Sequence, residues 1–187
     1  MKTVRSILVF IVLGLLMALP GEILNQVFSL RNPRALVTTL VSYAVLLFLG
    51  FFIGKLICRV AGRKSRAAVV QYVVFGALGL SVEWGLLGNA PVLDWLQLIV
   101  QPGMFTFWGT MLLAPWLLVE GTAFNPLKRA FAWYFAAFSA LYLLVAGLVP
   151  REKGGVFFGF IIFSAGGVGL NYFYWQYFRQ LKAVEPV

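Results

Sequence analysis

Long apolar runs, separated by short stretches rich in charge, proline and glycine, make up most of this chain. A helix crosses a bilayer core of about 30 Å with about 20 apolar residues. The runs are longer than the roughly ten residues of a barrel strand and lack its two-residue alternation. We therefore predict an all-α, polytopic transmembrane bundle of six helices, forming a single domain over residues 1–187. The predicted spans are 6–30, 35–54, 67–88, 104–119, 130–149 and 156–178.

The chain begins with a stretch that imitates a secretory signal peptide, with a basic start, an apolar core and a turn at Pro20. Its cleavage signal is poor, because a cut after Ala18 would put Leu16 where a small residue is required. The uncharged run also continues past the turn, apart from Glu22. We therefore expect this stretch to form the first transmembrane helix.

Two asparagine–proline pairs mark the starts of the second and fifth helices. Asn32 with Pro33, and Asn125 with Pro126, each place an N-cap residue and an N1 proline ahead of an apolar run. The two pairs lie about half a chain length apart. This spacing suggests a 3+3 inverted repeat.

An inverted repeat would place helix breaks at Pro20 and Pro115, because proline removes a backbone hydrogen bond within a helix. Inverted repeats with broken helices are found in many secondary transporters, whose binding sites lie near the bilayer midplane. The third and sixth runs match each other poorly. The alternative is a bundle without internal symmetry.

Basic residues are distributed unevenly between the two sides of the predicted bundle. Eleven of the 15 Lys and Arg residues fall on the side that holds both termini, with the largest group in the loop 55–66. Because cytoplasmic loops carry the excess of Lys and Arg, we expect both termini to be cytoplasmic, in a bacterial inner membrane. The net charge of +9 then suits contact with anionic lipid, and no nucleic acid partner is expected.

The composition of the chain limits the chemistry available to it. Hydrophobic residues make up 61% and charged residues 11%, whereas soluble domains hold roughly a half and a quarter. The absence of histidine excludes imidazole-ligated haem, His-containing zinc sites and histidine general bases. The single cysteine, Cys58, cannot form an internal disulfide. We therefore expect no metal and no cofactor, and we assign no catalytic residue.

Small and hydroxyl-bearing residues within the runs are expected to serve helix packing. Gly50 and Gly54 are four residues apart, a spacing that lets helix backbones approach closely. Serines within the runs are expected to form hydrogen bonds between helices, as small polar side chains do in membranes. These serines are Ser42, Ser81, Ser139 and Ser164.

Three carboxylates lie within or at the edge of a predicted span. Burying one at the centre of a transmembrane helix costs about 2.5 to 3.5 kcal/mol on insertion scales. Glu83 is predicted about 7 to 8 Å inside the outer end of its helix, and Glu22 about 12 Å inside. Glu120 ends the fourth span at the predicted cytoplasmic face, close in sequence to Lys128 and Arg129.

Glu22 and Glu83 are thus predicted at similar depth in the outer leaflet, beneath several polar side chains. We expect an outward-facing acidic vestibule in which desolvation and mutual repulsion favour the protonated form of one acid. The residues assigned to this site are Glu22, Glu83, Asn25, Gln26, Asn89 and Asp94. The structural alternative is that both acids face other helices, where Asn, Ser, Tyr, water or a nearby Arg satisfies them.

The connection 89–103 is apolar but too short to span the bilayer. It is expected to lie in the outer interface as an amphipathic helix, or to dip back as a re-entrant lid over the acids.

Three functions are compatible with these features. The first is a small membrane transporter or substrate-capture subunit whose acids handle a proton, a cation or a small cationic or polar solute. The second is a non-catalytic subunit or scaffold, which docks with partner proteins or with copies of itself in the lipid bilayer. The third is an enzyme that acts on lipid. Only the first uses both the matched acids and the suggested repeat, so we favour it.

Overall fold

The computed structural model of the protein describes residues 2–29, 31–85, 95–148 and 162–185. Across these ranges the regular structure is helical and contains no strand, which confirms the all-α fold class. The described helices are α1 (Lys2–Glu22), α2 (Pro33–Ala61), α3 (Lys64–Gly85), α4 (Trp95–Val119), α5 (Asn125–Leu148) and α6 (Leu170–Val184). π-Helical segments follow α1 (Ile23–Ser29) and precede α6 (Ile162–Gly169), and a 3₁₀ turn (Thr122–Phe124) precedes α5.

Five described helical segments are long and apolar enough to cross a membrane. They are Val4–Phe28, Pro33–Ala61, Lys64–Gly85, Gln101–Val119 and Thr122–Leu148. These segments overlap the first five predicted spans and indicate a multi-pass integral membrane protein. The sixth predicted span, 156–178, lies partly outside the described residues, and its described part belongs to the second π-helical segment and α6.

The predicted basic loop between the second and third helices is mostly helical. α2 continues to Ala61 and α3 begins at Lys64, so that only Gly62 and Arg63 connect them. Gly62 has a φ of 71°, a left-handed conformation that glycine adopts without side-chain strain and that commonly ends helices. Because backbone hydrogen bonding continues independently of the apolar run, α2 extends past residue 54, where we predicted its end.

The asparagine–proline pairs lie at the predicted helix starts, but they act differently. Asn32 caps α2, and its Oδ1 accepts a hydrogen bond from the Ala35 amide at 3.4 Å. Asn125 instead has helical dihedral angles (φ −55°, ψ −39°) and is the first residue of α5. The 3₁₀ turn leads directly into this helix, so the predicted cap at Asn125 is not formed.

α4 is the central helix of the described bundle. In its segment Gln101–Val119, 61% of the most apolar window is buried, against 17–33% in the other four spans. It packs against α1, α2, α3 and α6. Its side chains Met111, Leu113 and Leu117 are fully buried and contribute to the protein core.

α4 also begins earlier than predicted. Residues 95–103, which we expected in an interfacial or re-entrant connection, continue directly into the span as one helix, while 89–94 lie outside the described residues. Pro102 and Pro115 are both contained within α4, so the predicted break at Pro115 is absent. Membrane helices tolerate proline where neighbouring groups satisfy the freed backbone.

Glycines on α2 and α3 let the large side chains of α4 approach closely. A methyl group placed on Gly79 would lie 2.0 Å from Trp108 Cγ. One placed on Gly50, a predicted packing residue, would lie 2.4 Å from Leu112 Cδ2. Both distances are shorter than carbon atoms tolerate, so α4 packs against surfaces that only glycine provides.

Charged groups from three parts of the chain meet at one end of the bundle. Lys64 Nζ lies 3.2 Å from Glu120 Oε1, joining the start of α3 to the end of α4. The Ser65 amide and hydroxyl each donate a hydrogen bond of 2.7 Å to Glu185, which follows α6. We call the end of the bundle that holds Lys64, Ser65, Glu120 and Glu185 the basic end, after the basic segment 55–66 to which Lys64 and Ser65 belong.

α1 begins near the basic end and carries its acid away from it. Arg5 shares a cavity with Lys55 of α2 and with Val119, the residue before Glu120. Glu22 follows Arg5 by 17 residues along α1, which corresponds to about 25 Å of helix. Glu22 therefore lies near the opposite end, where α1 changes to the π-helical segment.

Candidate functional site

Glu22, the last residue of α1, is a buried acid held by neutral donors. Its side chain is 6% exposed. The Tyr43 hydroxyl of α2 donates to Oε1 at 2.7 Å, and Gln26 Nε2 donates to Oε2 at 3.3 Å. No Lys or Arg forms an ion pair with it in the described chain. The charge of this carboxylate is therefore not balanced by a neighbouring cation of the described residues.

A partly open cavity of about 200 Å³ lies beside Glu22, between α1, α4, α5 and the end of the second π-helical segment. Most of its wall is apolar, with Met17, Phe107, Phe135 and Phe138 among the lining residues. Pockets for small molecules commonly combine such a wall with a few polar groups that orient the ligand.

Hydroxyl groups supply the other polar part of the wall. They belong to Thr106 and Thr110 of α4 and to Ser139 and Tyr142 of α5. Ser139 Oγ is buried and has no hydrogen-bond partner among the described residues, whereas the Thr110 hydroxyl interacts with that of Tyr174 on α6. A buried hydroxyl without a partner costs about 1 to 3 kcal/mol. A polar ligand that reaches Ser139 would recover this cost.

One edge of the cavity is fixed by a partly buried polar network between helices. Thr106 Oγ1 accepts a hydrogen bond from Asn171 Nδ2 at 3.1 Å and itself donates to the Pro102 carbonyl at 2.9 Å. The Tyr72 hydroxyl donates to Asn171 Oδ1 and lies 3.3 Å from Thr106 Oγ1. This network joins α3, α4 and α6, and it holds Thr106 in place on the cavity wall.

Glu83 does not line this cavity. Its Oε1 accepts a hydrogen bond from Trp108 Nε1 at 3.1 Å. The Trp108 ring meets the ring of Tyr43 edge to face, with 5.5 Å between centroids and 76° between planes. Within the described residues, Glu83 and Glu22 are connected through this aromatic pair.

The other residues assigned from the sequence fall into two groups. Gln26 lies beside Glu22, and its Nε2 also lies 3.5 Å from Thr39 Oγ1 of α2. Asn25 belongs to the π-helical segment, and its side chain lies outside the described part of the structure. Asn89 and Asp94 lie outside the described residues altogether.

The sequence interpretation missed the cavity side of α5. It assigned Ser139 to helix–helix hydrogen bonding, but this hydroxyl is without a partner in the described structure. Ser42 and Ser81 instead donate to carbonyl groups four residues earlier in their own helices, so the prediction of hydrogen bonds between helices is wrong for them as well. All three are serines within apolar runs, so nothing in residue type or spacing distinguished Ser139 from the other two.

The arrangement can bind a small cation or a polar group. Glu22 provides a negative charge or a proton acceptor, the hydroxyls provide hydrogen bonds, and the aromatic rings can face a cation. In the described chain no cluster of three His, Cys, Asp or Glu residues could hold a metal ion.

Comparisons of the chain with protein-family models, with curated proteins and with solved structures find no match.

Proposed function

We propose that the protein is a small membrane transporter or substrate-capture subunit, in which the cavity beside Glu22 takes a proton, a cation or a small cationic or polar solute. The observation that supports this most strongly is the position of Glu22. It is a buried acid without a cationic partner in the described chain, and it lies on the wall of a partly open cavity. Acids at membrane depth are costly and usually functional.

A solute with one cationic group and a small apolar body suits this cavity best. The positive charge would pair with Glu22, and the body would contact Phe107, Phe135 and Phe138. The Ser139 hydroxyl, which has no partner among the described residues, could accept a hydrogen bond from an ammonium group or its water shell. A proton alone would use Glu22 but would leave these aromatic and hydroxyl groups without a role.

We further propose that this cavity faces outward. Lys64, Arg5 and Lys55 lie at or near the basic end, and Glu22 lies near the opposite end. If Lys and Arg mark the cytoplasmic side, Glu22 is in the outer half of the bilayer. Both termini would then be cytoplasmic, in an inner membrane, as the sequence predicts.

A matched pair of probes tests the binding step. Benzylammonium and benzyl alcohol have the same aromatic body and differ in the charged group that would meet Glu22. We expect the wild-type protein to bind benzylammonium more tightly, and Glu22→Gln to weaken it about tenfold or more, since a hydrogen bond to a charged group contributes about 1.5 to 3 kcal/mol. Binding is measured by calorimetry in detergent. Glu83→Gln is the control and should leave this affinity unchanged.

Two results would contradict the proposal. One is equal binding of both probes by the wild-type protein. The other is an equal loss of benzylammonium binding in Glu22→Gln and Glu83→Gln, because only Glu22 lines the cavity. If binding is confirmed, uptake of labelled benzylammonium into proteoliposomes distinguishes a transporter from a subunit that captures solute without moving it.

The second candidate is a non-catalytic subunit of a larger membrane complex. The hydrogen bonds that Glu22 receives from Tyr43 and Gln26 favour it, because they satisfy the acid within the chain. This alternative predicts that a stoichiometric partner copurifies in mild detergent. It also predicts that Glu22→Gln remains functional and is only less stable.

A further inference from the structure

A second cavity, far from Glu22, lies beside the basic end. It has a volume of about 260 Å³ and is bounded by the start of α1, the middle of α2 and the end of α4. Two cations line it, Arg5 and Lys55. Its apolar wall includes Phe10, Phe51 and Trp116.

Neither cation has an ion-pair partner in the described chain. The carboxylate closest in sequence to the end of α4, Glu120, is engaged elsewhere. Its Oε1 lies 3.2 Å from Lys64 Nζ, and its Oε2 accepts a hydrogen bond of 3.2 Å from the Tyr177 hydroxyl. Two positive groups therefore border one cavity without a carboxylate between them, and their mutual repulsion favours an anion there.

The aromatic floor of the cavity holds one of these cations in place. Lys55 Nζ lies 4.7 Å from the centre of the Phe51 ring, a cation–π contact. Phe51 in turn stacks on Trp116, with 5.5 Å between centroids and 12° between planes. Phe10 packs against both rings, at 5.4 and 5.1 Å. The ammonium group is thus held against the packed aromatic residues that bound the cavity.

Cations that border an apolar cavity beside transmembrane helices are typical of sites for anionic lipid headgroups. From this combination of unpaired cations, aromatic floor and position we infer that the cavity binds one anionic phospholipid of the adjoining leaflet. The phosphate would lie between Arg5 and Lys55, and an acyl chain would contact Val9, Trp116 and Val119, whose side chains are not fully buried. The inference does not depend on the function proposed for the Glu22 cavity, because the two cavities share no lining residue.

The experiment compares two lipids with the same acyl chains, dioleoyl phosphatidylglycerol and dioleoyl phosphatidylcholine. The full chain is delipidated in detergent, and each lipid is titrated while bound lipid is counted by native mass spectrometry. We expect phosphatidylglycerol to bind more tightly to the wild-type protein. The double variant Arg5→Gln/Lys55→Gln should weaken phosphatidylglycerol binding about 10- to 30-fold, since each cation near a lipid surface contributes about 1 kcal/mol.

Matched control variants distinguish lipid binding in this cavity from a general attraction of anionic lipid to basic residues. Arg59→Gln/Arg66→Gln removes two exposed charges from the same part of the sequence but leaves the cavity intact, and it should keep the lipid preference. Arg5→Lys/Lys55→Arg conserves the charge, and it should also keep most of the preference for phosphatidylglycerol. If the glutamine variant does not fold, Val119→Ser provides the second test. It makes an exposed apolar part of the wall polar without removing a charge or a core side chain, and it should weaken phosphatidylglycerol binding.

Three outcomes would overturn the inference. The first is a wild-type protein that binds both lipids equally. The second is an equal loss of preference in the cavity variant and in Arg59→Gln/Arg66→Gln, which would indicate general attraction to basic charge. The third is full competition by glycerol 1-phosphate, which would show that the cavity takes a free phosphate and needs no acyl chain.

Discussion

Tyr43 and Trp108 meet edge to face with 5.5 Å between their ring centroids, and each donates a hydrogen bond to a different glutamate. Tyr43 holds Glu22 on the wall of the cavity, and Trp108 holds Glu83 outside it. The two acids that look equivalent in the sequence thus have different surroundings. This difference allows each to serve as the control for the other.

Tyr43→Phe should destabilise the protein through Glu22. The substitution removes the shortest hydrogen bond to a buried carboxyl group, which contributes about 1.5 to 3 kcal/mol when the acceptor is charged. The free energy of unfolding is measured by denaturant titration in mixed micelles. Tyr172→Phe, at an exposed hydroxyl on α6, should change it by less than about 0.5 kcal/mol. Equal effects of the two substitutions would contradict the role of Tyr43.

Gly79→Ala should disturb the packing of α3 on α4. The new methyl group would overlap Trp108, whose indole also holds Glu83, and overpacking of this kind costs about 1 to 3 kcal/mol. Gly85→Ala, on the same helix, meets no atom within 4 Å and should be nearly neutral. Thermal unfolding followed by tryptophan fluorescence distinguishes them. A neutral Gly79→Ala would show that α3 and α4 do not pack this closely.

Ser139→Ala should stabilise the protein and should weaken ligand binding in the cavity beside Glu22. The hydroxyl is buried without a partner in the described chain, so its removal relieves a cost of about 1 to 3 kcal/mol. We expect a higher melting temperature together with weaker benzylammonium binding. Ser42→Ala, on the exposed side of α2, should alter neither quantity. A clear loss of stability in Ser139→Ala would mean that this hydroxyl has a structural partner.

Glu185 should make the basic end sensitive to acid. The amide and then the hydroxyl of Ser65 donate hydrogen bonds that hold the pKa of Glu185 below its ordinary value of 4.5. A carboxyl group whose pKa is lowered by folding stabilises the protein above that ordinary value, and the effect is lost as pH falls through the lower folded value. The difference in melting temperature between wild type and Glu185→Gln should therefore be present at about pH 7 and shrink by about pH 3.

The comparison with Ser65→Ala sharpens this test. That variant loses the hydroxyl donor but keeps the amide donor, so it should show a smaller difference of the same pH dependence. A difference that is constant across the whole pH range would contradict a role for the ionised carboxylate.

The helices could be predicted from the sequence because the thickness of the bilayer fixes the length of an apolar run. The same length rule located Glu22 within a span. It could not fix helix ends outside the apolar core, where backbone hydrogen bonding alone carried α2 on to Ala61 and Gly62 ended it. It sets the start of the fourth span at residue 104 and leaves open an extension of this short run into the preceding loop, and α4 does begin earlier, at Trp95.

The site was only partly predictable from the sequence. The depth of a residue in the membrane does not determine which way its side chain faces around the helix axis. Similar distance to the outer face predicts a common vestibule for Glu22 and Glu83, but it does not predict the partners of each acid. Those partners depend on packing, here on Trp108 resting against Gly79 while its indole donates to Glu83. For the same reason Ser139 and Thr110 could not be distinguished from other hydroxyl residues within apolar runs.

We propose that a cation reaches the cavity beside Glu22 from outside. It is tested most directly with Ser139→Cys in a Cys58→Ser background, since the chain has a single native cysteine. The modification rates of a cationic and an anionic membrane-impermeant methanethiosulfonate are compared on spheroplasts, with Ala140→Cys on the exposed side of α5 as the control. We predict faster modification by the cationic reagent at position 139 only, and a preference that falls about tenfold when Glu22→Gln is added. No modification at this position, or a charge preference unchanged by Glu22→Gln, would contradict the claim.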